Sequence, residues 1–249
     1  MSEPVVGVIG GMGPEATVEL MQRVIDATPA ADDADHIHML VDNNPKVPSR
    51  IKALIEGAGE DPGPTIAGMA RSLEGCGADF LVIPCNTAHH YWGDAAAAVS
   101  VPVWNLVDLT LATVTAKTGT PARVGMLASP ALRKVALYEQ YAQRHGVSLV
   151  YPGDEGGLLE VIRAVKADRV TSREVALLAA AARELAEGGA DALVLGCTEF
   201  SLIADRFAAP VPAFDTLQVL AERIVAYVKH GVSPGDRGVP AGVPVTTGW

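Results

Sequence analysis

The chain has 249 residues, 49% hydrophobic and 19% charged, enough apolar material for one enzyme-sized body or two small lobes. Its formal net charge of −10 argues against a nucleic-acid backbone as partner, because phosphate binding needs clustered Lys and Arg and only isolated ones occur here. The start carries Glu3 and a short apolar run that ends in glycines, so neither a signal peptide nor a membrane span is expected there, and a cytoplasmic location is the expectation.

In chain order, Val5-Val6-Gly7-Val8-Ile9-Gly10 reads as a buried strand, followed by a helix over residues 14–27. Between them, Gly11-Met12-Gly13-Pro14-Glu15-Ala16 matches a relaxed dinucleotide pattern. The exposed amides of such a helix start suit a substrate carboxylate as well as a pyrophosphate. Asp42, where a ribose-binding acid is expected, leads instead into Asn43-Asn44-Pro45-Lys46-Val47-Pro48-Ser49-Arg50, a substrate-facing loop whose arginine can grip a carboxylate in bidentate fashion. A helix over 64–75 follows, and Cys76 at its end reads as core packing.

Beyond it come a strand ending at Cys85, a crossing between lobes at 112–121, the strand Arg123-Val124-Gly125-Met126-Leu127-Ala128, and helices over 129–146 and 172–188. A strand ending at Cys197, a second crossing at 204–212 and a helix over 216–230 complete the pattern. Gly75, Gly146 and Gly188 stand where a left-handed residue closes a helix. From Gly231 onward the chain is too rich in Gly and Pro for a regular element and reads as a mobile tail or subunit-clasping arm.

The chain repeats itself. Gly77-Ala78-Asp79-Phe80-Leu81-Val82-Ile83-Pro84-Cys85-Asn86-Thr87 matches Gly189-Ala190-Asp191-Ala192-Leu193-Val194-Leu195-Gly196-Cys197-Thr198-Glu199, each with its cysteine eight residues after the glycine. The two opening strands also correspond, and Val101-Pro102-Val103-Trp104 echoes Val211-Pro212-Ala213-Phe214. A period of roughly a hundred residues is that of a duplicated lobe. The expected fold is therefore α/β, with two similar three-layer lobes of mainly parallel sheet related by pseudo-twofold symmetry and an active site in the cleft between them. The first lobe is assigned to 1–111, with 214–230 packing back on it, and the second to 112–213.

Such symmetry brings Cys85 and Cys197 to opposite sides of a ligand, the geometry of a two-base racemase. One thiolate removes the α-proton from one face while a thiol delivers another from the opposite face, and their protonation states exchange on turnover. A strand end followed by a helix start is expected to favour thiolate at both positions, with His89 and Glu199 as proton-managing neighbours. Competing readings are a zinc site on Cys85 and His89, which lacks any Cys-x-x-Cys spacing, and a non-enzymatic small-acid binder, which has no need of two thiols.

Gly10-Gly11-Met12-Gly13-Pro14-Glu15-Ala16-Thr17, Asn43-Asn44-Pro45, Gly59-Glu60-Asp61-Pro62, Pro84-Cys85-Asn86-Thr87-Ala88-His89 and Gly196-Cys197-Thr198-Glu199 together resemble the aspartate racemase branch of the aspartate/glutamate racemases, in order, from about Val5 to His230. The resemblance implies a cofactor-independent amino-acid racemase, commonly a homodimer, acting on a small anionic amino acid or dicarboxylate. It makes Cys85 and Cys197 the catalytic pair and Arg50, Asn86, Thr87, Lys166, Thr198 and Glu199 substrate-binding residues, with no metal; Gly11 and Met12 join them through the anion-binding helix start. Aspartate leads, and glutamate or a broader range stays open. Ser49 stands where the branch usually has an aspartate, and Ser129-Pro130-Ala131-Leu132 where it tends to have threonines, so strict aspartate recognition is in doubt. A related cysteine-dependent isomerase or decarboxylase acting on a small dicarboxylic acid is the alternative.

Overall fold

A computed structural model describes residues 3–120 and 122–233. The first sheet is built from β1 (Val6–Gly10), α1 (Pro14–Ala27), β2 (Met39–Asn43), α2 (Gly63–Gly75) and β3 (Phe80–Val82), all strands parallel in the order β2-β1-β3. After α3 (Trp92–Ala98), Val103 adds a single parallel bridge to Leu81. The chain then runs through α4 (Leu106–Thr118), β4 (Ala122–Ala128), α5 (Pro130–Lys134), α6 (Glu139–Ala142), β5 (Val147–Val150), α7 (Glu155–Lys166), α8 (Ser172–Glu187), β6 (Ala192–Gly196), α9 (Thr198–Ser201), β7 (Ala213–Asp215) and α10 (Thr216–His230). The second sheet is also parallel, in the order β5-β4-β6-β7. Among the described residues, no helix is long and apolar enough to cross a membrane.

The two sheets repeat in detail. A Cβ on Gly7 would stand 2.4 Å from Leu81 Cδ2 and 3.3 Å from Leu73 Cβ, and one on Gly125 2.7 Å from Leu193 Cδ2 and 3.0 Å from Leu185 Cβ. In each lobe, then, the central strand needs a glycine for the helix behind it to close on the sheet. Asp79 accepts from the Val5 amide and Asp191 from the Arg123 amide, both at 2.7 Å. Leu81 and Leu193 each donate a backbone bond, 2.8 Å long, to the carbonyl of Pro102 and Pro212 respectively.

In both sheets the strand after the central one lies on one side and the next on the other, so a crevice opens at the carboxyl ends of the strands where the order reverses. The segments leaving β1, β3, β4 and β6 carry Gly11 to Gly13, Cys85, Ser129 and Cys197 to those ends.

The lobes share buried contacts below that crevice. Leu217, Leu220, Ala221, Ile224, Val225 and Val228 of α10 sit in one apolar cluster with Val6 and Val8 of β1, Leu20 and Val24 of α1, and Trp104. Arg23 donates to Asp215 at 2.5 Å and to the Ser201 carbonyl at 3.1 Å.

Several expectations need correction. Residues 129–146 do not form one helix: α5 stops, Ala136 takes φ +49°, and the interruption turns Leu137 and Tyr138 into the core before α6 begins. Residues 204–212 do not cross between lobes but return within the second to feed β7, whereas 112–118 are the end of α4, which leads from the first sheet to β4 of the second. At the ends of the three helical segments expected to close on glycine, the left-handed residues are Gly77, Gly146 and Gly189, since Gly75 and Gly188 precede positions where the chain still bonds back into the helix. Cys76 is exposed: it is the cap residue just beyond the last turn of α2, past the stripe of Ile66, Met69, Ala70 and Leu73 that faces the core. The tail reading falls mostly on residues 234–249, which lie outside the described residues.

Candidate active site

A cavity of about 490 Å³ opens between the lobes, and both cysteines line it. Cys85 arrives on the segment after β3, which folds tightly enough for its amide to reach the Ile83 carbonyl at 2.8 Å. Cys197 caps the four-residue α9 directly after β6. Each is 6% exposed.

Gly11 must be glycine: its φ is +84°, and a Cβ there would lie 2.2 Å from the Asn44 carbonyl carbon. Thr17 holds that turn through its hydroxyl, which accepts from the Gly11 amide and donates to the Gly13 carbonyl. Gly11, Met12 and Gly13 therefore form one wall of the cavity. Pro45, Val47, Ser49, Arg50 and Ile51 form another. There Arg50 Nη1 donates to the carbonyls of Val47 and Pro48, and its Nε is buried without a partner. The wall continues into a single π-helical turn, Lys52–Glu56, closed by Gly57, and Lys134 of the second lobe donates to its Ile55 carbonyl at 2.8 Å.

Around Cys197 the polar groups are linked. Its thiol donates to Glu199 Oε2 at 2.9 Å, and the Lys166 ammonium contacts Glu199 Oε1. Burial pushes the Cys197 thiol well up, Glu199 pushes it further through its charge and hydrogen bond, and Lys166 opposes. Burial alone would lower the Lys166 ammonium, but the adjacent Glu199 carboxylate outweighs it and the net shift is upward. The thiolate-favouring surroundings expected from sequence are thus not found at Cys197.

His89 is a structural tie. Its Nε2 accepts from the Leu106 amide, which places the ring proton on Nδ1, donated to the Cys85 carbonyl at 2.9 Å. Burial, the largest cause, lowers it to about 4, so the ring is neutral and both nitrogens are engaged. It fixes the Cys85 segment against the start of α4 and has no free nitrogen for a metal or a proton.

Of the ten site residues expected from sequence, Gly11, Met12, Arg50, Cys85, Thr87, Lys166, Cys197 and Glu199 line the cavity. Asn86 and Thr198 do not; both are 2% exposed. Asn86 lies behind the wall, donating to Thr216 Oγ1 at 2.9 Å and accepting from the Tyr138 hydroxyl at 2.6 Å, so its amide joins the lobes beneath the cleft. Glu15, Ser129 and Ile162 also line the cavity and were not among the expected site residues. Ile162 was legible, because it stands four residues before Lys166 on one face of α7. Glu15 was masked by a simpler role, since an acid in a first helical turn already suits the helix dipole.

Two sheets with their switch points facing one cavity, and a cysteine from each, define a duplicated α/β enzyme of the racemase type. Residues 9–224 match the family described as Asp/Glu/Hydantoin racemase, and the chain belongs to that family. It is 26% identical over 237 residues to a protein of Bacillus subtilis (strain 168) named broad specificity amino-acid racemase RacX, covering 89% of this chain and 96% of that one. The structure of Picrophilus torridus aspartate racemase superposes with a TM-score of 0.79 and 29% identity, over 91% of this chain and 94% of that one. Glutamate racemase isoform RacE1 of Bacillus anthracis shares the fold at a TM-score of 0.64 and 16% identity, over 92% and 82%.

Proposed function

We propose that this chain inverts the α-carbon of an amino acid by direct proton transfer between two thiols, Cys85 and Cys197, without a cofactor. The observation that carries the reading is that one cavity receives a cysteine from each of two symmetry-related strand ends. In one direction a thiolate takes the α-proton, the C–H electron pair delocalises into the substrate carboxylate, and the opposite thiol protonates the other face. In the reverse direction the thiols exchange roles.

The energetic difficulty is the negative charge that grows on the carboxylate as the proton leaves. Arg50 and the backbone amides of Met12 and Gly13 are the groups on the cavity wall suited to hold it, and exclusion of water strengthens each contact. Glu199 receives the Cys197 S–H bond and is itself held by Lys166, so it aims that sulfur and governs its protonation. The range of amino acids differs between an aspartate racemase and a broad-specificity one, and the named relatives include both.

Cys85→Ser and Cys197→Ser are each expected to lower racemisation by about 10²–10⁴-fold, the usual contribution of a positioned acid or base. In deuterated solvent, each single variant should exchange the α-proton of one enantiomer faster than it racemises it. Full activity in either variant would overturn the two-thiol reading. A chiral screen of the common amino acids identifies the substrate.

A further inference from the structure

The charges on the cavity wall are unevenly committed. Two cations and two carboxylates line it: Arg50, Lys166, Glu15 and Glu199. The Lys166 ammonium is already in contact with Glu199. A point one Cβ bond above Gly13 lies 3.3 Å from Glu15 Oε2 and 3.8 Å from Lys166 Nζ, so Glu15 and Lys166 border the same space. Of the two carboxylates bordering that space, Glu199 is the one in contact with Lys166. Glu15 also compensates the positive end of α1, which would otherwise attract a second anion.

Arg50 forms no ion pair among the described residues, and its buried Nε has no partner. It can take the one carboxylate that every α-amino acid carries. A second carboxylate, on the side chain, would find Lys166 occupied and Glu15 facing the same space. Ser49 Oγ accepts from the Lys52 amide and Ser129 Oγ from the Ala131 amide, so each keeps one neutral O–H donor but brings no positive charge to offset Glu15. Met12, Val47 and Ile162 supply buried apolar surface instead.

We propose that Glu15 is a specificity-determining residue that disfavours side-chain carboxylates, so that the enzyme prefers amino acids whose side chains carry no negative charge over aspartate and glutamate. This rests on the racemase reading and narrows its substrate class.

Glutamine against glutamate, and asparagine against aspartate, are pairs matched in shape that differ in charge. The kcat/KM for racemisation is measured for all four with the wild-type protein and Glu15→Gln, and the Kd of each by calorimetry. Wild type is expected to favour each amide by about tenfold or more, the scale of one charge contact in a partly screened site. Glu15→Gln should narrow that ratio to about two- or threefold on the same scale, chiefly through a lower KM for the acid. Glu15 is exposed in a first helical turn, where glutamine is readily accommodated. The proposal is overturned if wild type takes either acid as well as its amide, or if Glu15→Gln leaves the ratios unchanged. Absence of racemisation across the amino acids would count against the racemase reading, while the Kd ratios would still decide the role of Glu15.

Discussion

Replacing Asp215 with Asn removes one charge from a buried pair while keeping its shape, and the cost follows from the partners left behind. Arg23 and Asp215 meet at 2.5 Å with side chains 8% and 2% exposed. Asp215 Oδ1 also accepts from Ser201 Oγ at 2.5 Å and from the Leu217 amide at 2.9 Å, which caps α10. At an effective dielectric near 20, opposite charges about 4 Å apart attract by about 4 kcal/mol. Glu19 touches the same guanidinium at 2.7 Å but is 34% exposed, so solvent screens its compensation. Asp215→Asn is therefore expected to cost about 3 kcal/mol, the lower end of the range for breaking a buried pair from one side. Urea unfolding at unchanged m reads the loss directly. The double variant Arg23→Met with Asp215→Asn should be more stable than Asp215→Asn alone, because the buried charge that lost its most buried counter-charge is gone. A single-variant loss below about 1 kcal/mol, or a double variant as unstable as the summed singles, would refute the reasoning.

Two further sets of outcomes test the site and its framework. Glu199→Gln removes one of the influences that hold the Cys197 thiol up, so alkylation of Cys197, followed by mass spectrometry across pH, should begin at lower pH; Lys166→Met removes the opposing charge and should move the onset higher. Shifts in the same direction for both variants contradict this electrostatic account. Gly11→Ala should destabilise the fold by more than the about 1–3 kcal/mol of backbone strain alone, because its Cβ meets the Asn44 backbone. Gly57→Ala, at φ +66° with open space around it, should lose only that strain, and equal losses in a thermal melt would contradict the packing argument.

The repeat was readable because its marks are local: a glycine, an aspartate and a cysteine at fixed spacing around a buried strand. Those residues hold equivalent places in the two sheets, down to the paired bonds from Asp79 and Asp191. α4 was hidden by its surroundings. Buried on most sides, it shows no polar stripe, and Thr110 and Thr113 satisfy their hydroxyls on the carbonyls of Leu106 and Leu109. The break at Ala136 was equally invisible, because the gain from turning Tyr138 toward Asn86 comes from a residue 52 positions away. At the site, the sequence showed eight of the residues that line the cleft, wrongly added Asn86 and Thr198, and did not show how the lining residues pair there. Lys166 reads as a free cation until Glu199 is seen against it, and His89 as a proton carrier until the Leu106 amide is seen on its ring.

The position two residues after each cysteine is Thr87 in one lobe and Glu199 in the other, so a pocket framed by twin sheets presents unlike chemistry to its two faces. Mirror-image amino acids have equal free energy, and a racemase must therefore show the same kcat/KM for both hands. Whichever hand the Lys166–Glu199 side holds more tightly must turn over more slowly in the same proportion. The lopsided pocket can set which enantiomer saturates the enzyme first, but never the mixture it leaves at equilibrium.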